Sequence, residues 1–230
     1  MRYPNRLTAG NFLKRDNRFL MQVLLGQEQV AALVPSTGRL RELLVPNARV
    51  WLQHVESATR KTAYTCELVE ASSGVLVSLN THRTNALVCE ALEKEMLPDF
   101  AGWVPERQEV TFEDSRFDLT GSGPDGRWLM EVKSVTLLEG STALFPDAPT
   151  ARGAKHMRTL QRALQAGYRT GVVFCITRED ATEFRPHHVQ DPVFAEAVTA
   201  AQDTGVIVAA CCCRVTPDGL DVTGPVEVNI

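Results

Sequence analysis

The spacing of apolar side chains divides the chain into two parts. From residue 18 to about residue 79, short segments rich in β-branched and aromatic residues alternate with turn-rich pieces such as "PSTGR" and "ASSG". This alternation predicts short strands. They are "RFLMQVLL", "EQVAALVP", "ARVWLQHV", "AYTCELVE" and "GVLVSLN". Five strands in so short a segment indicate a small barrel, and the OB-fold is the natural candidate.

The pattern changes at about residue 81. "THRTNALVCEALEKEMLP" and "TARGAKHMRTLQRALQAG" predict helices that end at Pro98 and Gly167, whereas "EVTFEDSRFDLT", "GRWLMEVKSVTLL" and "YRTGVVFCIT" predict strands. "DPVFAEAVTAAQDTG" followed by "VIVAACCCRV" repeats the helix-strand step. We therefore predict two domains, a barrel at 1–80 and an α/β domain with a mixed sheet at 81–230. "LMEVKSV" and "GVVFCI" should be parallel neighbours, since a helix connects them.

Composition is that of an ordinary globular chain, with 230 residues and 44% apolar side chains. The apolar runs are shorter than the roughly 20 residues of a membrane span, and the first residues lack a signal-peptide pattern. These features predict a cytoplasmic protein without a membrane partner. The six cysteines form no CxxC pair, which favours reduced thiols over a zinc site.

Charge is distributed unevenly along the chain. The formal net charge is −4, but residues 1–65 hold ten Lys and Arg against four acids, a local +6. No acid occurs between Asp147 and Glu179, where six basic residues lie. Two basic regions within an acidic protein favour nucleic acid as the partner. In the first region we single out Arg39 and Arg41, although a barrel that only supports its neighbour would also carry solvated arginines.

Charged side chains interrupt the predicted hairpin "RFDLTGSGPDGRWLMEVKSVTLLEG". Side chains alternate faces along a strand, so Glu131 and Lys133 project from the same face. Folding back through "TGSGPDG" brings Asp118 within a residue or two of facing Glu131. Two neighbouring carboxylates repel unless a cation binds, and Mg²⁺ or Mn²⁺ suits such oxygen ligands. Lys133 would then act on the attacking water or on the charge of a phosphate. The competing interpretation is a same-face salt bridge.

The helix that follows supplies candidate phosphate contacts. Met157, Leu160 and Leu164 form its predicted buried stripe. Arg152 and Lys155 lie near the first turn, where exposed amides favour an anion, and His156 is one turn after Arg152. We predict that these three side chains contact a scissile phosphate; they are Arg152, Lys155 and His156.

The segments "RFDLT…GRWLMEVKSVTL" and "FPDAPTARGAKHMRTL" closely resemble the sugar fermentation stimulation protein A family, as do "RFLMQV", "VPSTGRL" and "RKTAYTCEL". The resemblance implies an OB-fold joined to a nuclease-like domain of the PD-(D/E)xK class, in proteins described as DNA-binding and linked to sugar metabolism. Its pattern maps onto Asp118, Glu131 and Lys133, with Glu90 as a further helix acid. Ser36 and Cys66 depart from the family's usual Asn and Trp, which affects the barrel.

The sequence leaves three functions open. The first is a DNA-binding regulator of sugar metabolism whose nuclease-like domain serves as a scaffold. The second is a Mg²⁺-dependent nuclease that acts on single- or double-stranded DNA, or on RNA, through Asp118, Glu131 and Lys133. The third is a small-molecule regulator that does not bind nucleic acid. No recognition helix or base-reading motif is evident, which argues against sequence-specific binding by a helix-turn-helix.

Overall fold

A computed structural model describes residues 1–56 and 59–230. Its first sheet contains β1 (Thr8–Asn17), β2 (Leu20–Leu25), β3 (Glu28–Leu33), β4 (Arg49–His54), β5 (Tyr64–Glu70) and β6 (Leu76–Ser78). The strand order is β3-β2-β1-β4-β5-β6, and parallel pairing of β3 with β5 closes a five-stranded barrel. The predicted OB barrel is therefore confirmed.

The sequence pattern missed β1, which lies between β2 and β4 in the barrel. Along this fully described strand, "TAGNFLKRDN", Phe12 is the single buried side chain. The strand is held by its backbone ladders to both neighbours more than by apolar burial. A polar strand of this kind gives no periodic hydrophobic signal. The strand "GVLVSLN", in contrast, is only the short β6, outside the closed barrel.

The second part of the chain forms a mixed nine-stranded sheet with three α-helices. Its elements are α1 (Thr84–Glu93), β7 (Val104–Phe112), β8 (Ser115–Gly123), β9 (Gly126–Val135), β10 (Leu138–Glu139), β11 (Thr142–Phe145), α2 (Ala151–Gln165), β12 (Arg169–Ile176), β13 (Glu183–Pro186), α3 (Pro192–Asp203), β14 (Ile207–Thr216) and β15 (Gly219–Val228). The strand order is β10-β11-β13-β15-β14-β12-β9-β8-β7. As predicted, β9 and β12 are parallel neighbours.

One predicted strand is wrong. "EVTFEDSRFDLT" is two antiparallel strands, β7 and β8, because the chain reverses between Phe112 and Ser115. Glu113, at this turn, has a φ of 50°, a left-handed conformation that ends a strand. The sequence carries Glu-Asp here in place of the Gly or Asn that mark most such turns. The turn therefore gave no recognisable signal.

Helix α2 lies on the sheet face that it shares with α3. Thr150 caps its start by accepting a hydrogen bond from the Gly153 amide at 3.0 Å, and Gly167, with a φ of 93°, follows its end. Met157, Leu160 and Ala163 are fully buried, whereas Leu164 is only half-buried. The buried stripe is thus rotated slightly from the predicted one.

Helix α1 covers the opposite face of the sheet, where its buried Leu87 and Val88 join the same core as Trp128. Hydrogen bonds between Ser78 and Thr177 connect the first part of the chain to the second. The Ser78 amide donates to the Thr177 carbonyl at 2.9 Å, and the Thr177 hydroxyl donates to the Ser78 carbonyl at 2.9 Å. A division of the chain at residue 80 stays a prediction.

All six cysteines are free thiols, and five of them are buried. The helices within the described residues are too short or too polar to cross a membrane.

Candidate functional site

The candidate site lies where two strands of the sheet diverge. Strands β8 and β9 pair from their hairpin turn as far as Leu119 and Met130. Beyond this pair β9 continues alongside β12, and its Val132 amide donates to Oδ2 of Asp118 at 2.8 Å. The carboxylate of Asp118 thus takes the place of the backbone carbonyl that would accept the next hydrogen bond between the two strands. Asn85, in the first turn of α1, donates to Oδ1 of Asp118 at 3.2 Å.

Glu131 is a residue of β9 whose side chain faces α2, and it is only 2% exposed. Its Oε1 accepts hydrogen bonds from the Lys133 ammonium and from Nδ1 of His156, the latter at 2.6 Å. Its Oε2 is buried and has no hydrogen-bond partner within the described residues. A buried carboxylate oxygen without a donor is unfavourable, so this atom is available to a ligand.

The two carboxyl groups differ in how readily they ionise. Burial, and secondly the charge of Glu131, raise the pKa of Asp118 to about 6. Burial also opposes ionisation of Glu131, but the Lys133 ammonium and the His156 hydrogen bond outweigh it and hold the pKa of this carboxyl below its usual range. At neutral pH both groups are mainly ionised, which favours a cation between them.

His156 occupies a different place from the predicted one. It is 3% exposed, and its ring packs edge-to-face on Phe117 with centroids 5.6 Å apart. The Nε group of Arg152 donates to Nε2 of His156 at 3.4 Å, so Nδ1 carries the proton that is donated to Glu131. A side chain enclosed in this way is held against Glu131 and Arg152, and a contact of His156 with phosphate stays a prediction.

Two other predicted site residues lie apart from this cluster. Oε2 of Glu90 accepts from the Met1 amino nitrogen at 3.1 Å, and Oε1 accepts from Lys94. The Lys155 ammonium is 2.9 Å from a carboxylate oxygen of Asp114, in the β7–β8 turn. The structure therefore brings together Asp118, Glu131, Lys133, His156 and Arg152, whereas Glu90 and Lys155 have other partners.

The sequence reasoning missed Asn85, which is the residue of α1 that reaches the site. Glu90 is five positions further along, and at about 100° per residue it projects from another side of the helix. Asn85 lies inside the predicted helix, but its type gave no reason to prefer it to an acid.

The residues present fit a divalent cation with two protein carboxylates. Across the described ranges, no set of three His, Cys, Asp or Glu side chains is arranged to hold a metal. Mg²⁺ commonly uses only one or two carboxylates and keeps several waters. Asp118 and the unpaired Oε2 of Glu131 supply that number.

The predicted barrel arginines, Arg39 and Arg41, follow the β3 strand in a loop that contacts the second domain. The amides of Arg39 and Leu40 donate to Oδ2 of Asp147 at 2.6 and 3.3 Å. Arg15, on the neighbouring strand β1, donates to the carbonyls of Gly38 and Arg39 in this loop at 2.9 and 2.8 Å. The two guanidinium groups of the loop itself remain exposed.

Fold and site together define a class: a closed OB barrel followed by a nuclease-like α/β domain with an Asp and a Glu-x-Lys at its strand fork. Residues 13–79 match the SfsA N-terminal OB domain, and residues 82–219 match the sugar fermentation stimulation protein RE domain. The chain belongs to the sugar fermentation stimulation protein family, which confirms the resemblance seen in the sequence.

Relatives share the whole length of the chain. A sugar fermentation stimulation protein homolog of Magnetococcus marinus is 39% identical over 232 residues, covering 100% of both chains. Another, from Clostridium acetobutylicum, is 37% identical over 99% of both. The solved structure of Pyrococcus furiosus SfsA in complex with Ca²⁺ is 28% identical and covers 100% of this chain and 98% of its own, with a TM-score of 0.90.

Proposed function

We propose that this protein binds nucleic acid and that its second domain cleaves phosphodiester bonds with a divalent cation held by Asp118 and Glu131. The observation that carries this proposal is the Oε2 atom of Glu131, which is buried without a donor beside a second carboxylate. In the ion pair of Glu67 with Arg83, by contrast, both carboxylate oxygens are paired. The Ca²⁺ complex of the Pyrococcus furiosus relative supports a divalent site, and Mg²⁺ or Mn²⁺ is our proposed ion here.

Each side chain of the cluster has a distinct part in this proposal. A bound Mg²⁺ would activate water and offset the charge of the phosphate. Lys133, which touches Glu131 and is 16% exposed, is placed to donate to the phosphate oxygens as their charge increases. His156 holds Oε1 of Glu131, which leaves Oε2 for the cation. Arg152 is exposed at the start of α2 and contacts the phosphate through the donors that His156 does not use.

A second candidate function is binding without cleavage, in a cytoplasmic regulator of sugar metabolism genes. It is favoured by the lack of a third acid near Asp118 and Glu131 within the described residues, and by the names of the relatives. Both candidates share DNA, or RNA, as the partner. They differ in whether a phosphodiester bond breaks.

Cleavage assays separate the two candidates. Labelled single- and double-stranded DNA and RNA are incubated with the purified protein in Mg²⁺, Mn²⁺ or EDTA. We expect cleavage that needs the metal and is lost in Asp118→Asn and Glu131→Gln. Glu90→Gln is the matched control and should retain activity, because Glu90 bonds to Met1 and Lys94. Metal-independent binding with no cleavage of any substrate would leave the regulator as the function.

A further inference from the structure

A groove runs between the barrel and the second domain. It consists of an inner cavity of about 460 Å³ and an outer cavity of about 430 Å³. The residues that line both cavities are Arg18, Thr37, Gly38, Ala148 and Pro149. Because these residues are shared, the two cavities adjoin each other, and we call them together the interdomain groove.

The inner cavity of the interdomain groove reaches Arg152, at the edge of the candidate site. Ser134, which follows Lys133 on β9, lines the inner cavity together with Arg152. Arg152 also contacts His156, which in turn donates to Glu131. A ligand in the inner cavity would therefore lie next to the residues proposed to act on a phosphate.

The walls of the inner cavity combine two chemistries. Its lining includes six residues that carry a hydroxyl group: Ser36, Thr37, Thr81, Ser134, Thr136 and Thr150. Leu144, Phe145 and Pro146 form an apolar part. The ring of Phe145 is held by Phe174 and Phe194, with centroids 5.7 and 5.2 Å away. An apolar surface beside hydroxyls and arginines suits a nucleotide, whose base is flat and apolar and whose sugar and phosphate are polar.

The charge of the interdomain groove favours an anion. Within the described residues, the guanidinium groups of Arg18, Arg39 and Arg41 have no ion-pair partner. Asp147 is the one acid among the residues that line the two cavities, and its Oδ2 already accepts from the amides of Arg39 and Leu40. The unpaired positive charges therefore exceed the negative charge along the interdomain groove.

We propose that the interdomain groove binds a single strand of nucleic acid, with one nucleotide in the inner cavity and its neighbour over Arg18 in the outer cavity. This inference rests on the proposed function, because it assumes that the ligand is nucleic acid. The volumes lie in the range of small-molecule sites, about 300–1,000 Å³, which suits one nucleotide in each cavity. The groove thus assigns a preference for single strands or frayed ends, and gives Arg18 and Thr37 a binding role.

The experiment measures binding in EDTA, where no metal-dependent cleavage occurs. Anisotropy of a labelled single-stranded 8-mer is compared with that of a blunt hairpin of the same sequence, in DNA and RNA versions. Arg18→Gln removes the shared charge, and Thr37→Trp fills the groove from an exposed position. We expect Arg18→Gln to weaken single-strand binding several fold more than Arg6→Gln does, because a contact charge is lost. Thr37→Trp should weaken it by about tenfold, because the larger side chain occupies the space of the ligand in the two cavities that Thr37 lines. Thermal melting checks that both variants are folded.

Arg6→Gln is the matched control. Arg6 is also an exposed barrel arginine without an ion-pair partner among the described residues, but it lines another cavity, beside Trp51 and Asp218. Binding by Arg6→Gln should stay within about threefold of the parent, since distant charges are screened. An equal loss in Arg6→Gln and Arg18→Gln, or unchanged binding by Thr37→Trp in a folded protein, would overturn the groove as the binding site.

Two further outcomes bear on the identity of the ligand. Tighter binding of the blunt hairpin than of the single strand would contradict the inference. Competition by a free nucleoside monophosphate at a lower concentration than the 8-mer would also contradict it, because the site would then recognise a free nucleotide. Cleavage is measured separately. If the parent protein does not cleave but the groove variants lose binding, the groove proposal holds and the nuclease proposal fails. If the parent protein cleaves but the groove variants bind normally, only the groove proposal fails.

Discussion

Two buried glutamates, one in the barrel and one in the second domain, show how a structural carboxylate differs from an available one. Glu67 is 1% exposed, and both of its oxygens accept from Arg83, at 2.7 and 3.0 Å, and from Asn80, at 3.0 and 3.1 Å. Glu131 is equally buried, but its donors converge on one oxygen and leave the other without any. The first arrangement completes a network, and the second leaves a place for a ligand.

The largest expected effect tests this contrast through stability. Glu67→Gln leaves the half-buried Arg83 guanidinium without its carboxylate partner and should lower the free energy of unfolding by about 3 kcal/mol. Glu131→Gln should lower it by only about 1 kcal/mol, because the lost ion pair with Lys133 is offset by relief of the repulsion between Glu131 and Asp118, and the amide oxygen still accepts from His156. Urea unfolding in EDTA measures both. Equal losses would mean that Glu131 is as structural as Glu67.

Cleavage gives the next contrast. Lys133→Ala should reduce the rate of cleavage by about 10² or more, since Lys133 acts on the charge of the transition state. Binding of the same substrate in EDTA should change by no more than a few fold, because one phosphate contact is a small share of the affinity. Lys94→Ala, which removes an exposed lysine from α1, is the control and should leave the rate unchanged. A parallel loss of rate and binding would remove Lys133 from the chemistry.

Substitution of His156 sharpens the role of the second donor to Glu131. His156→Ala should weaken Mn²⁺ binding, measured by calorimetry, by about tenfold, as loss of an orienting partner of a metal ligand does. His156→Gln should recover part of the affinity, because its amide N–H can donate to the same Oε1. If His156→Ala and His156→Gln weaken Mn²⁺ binding equally and both variants melt at the temperature of the parent, His156 only fills space beside Phe117.

The smallest effect is the dependence of stability on pH. Because the pKa of Asp118 is raised to about 6 in the folded state, the fold binds this proton more tightly than the unfolded chain does. Stability without metal should therefore fall as pH rises from about 4 to 6, and Asp118→Asn should be more stable at pH 7 by about 1 kcal/mol. Asp125→Asn, in the exposed hairpin turn, should give no such gain. An unchanged pH profile in Asp118→Asn would contradict the burial of this charge.

The sequence predicted those parts of the site that depend on local periodicity. Alternation along "LMEVKSV" places Glu131 and Lys133 on one face, and the short turn returns β8 toward Glu131. The rotation of a helix about its axis does not follow from its own residues to better than a few tens of degrees. Gly153 allows α2 to approach Phe194 closely, since a Cβ there would lie 3.0 Å from the ring. His156 lies on the buried side of the same helix, not on its exposed face.

Fold prediction failed for a similar reason where contacts are distant in sequence. β1 is stabilised by ladders to β2 and β4 and has little apolar periodicity of its own. The rotation of α1 that selects Asn85 over Glu90 depends on its packing against the sheet. Local pattern carries no information on either contact.

The contact of Asp147 with the barrel loop has a consequence for protein engineering. Oδ2 of Asp147 anchors the amides of Arg39 and Leu40, and Ser78 exchanges two hydrogen bonds with Thr177. The barrel contributes only backbone groups to these contacts, whereas the second domain contributes the side chains of Asp147 and Thr177. A chimera that joins the barrel of one relative to the second domain of another should therefore keep both contacts when the second domain retains this acid and this hydroxyl.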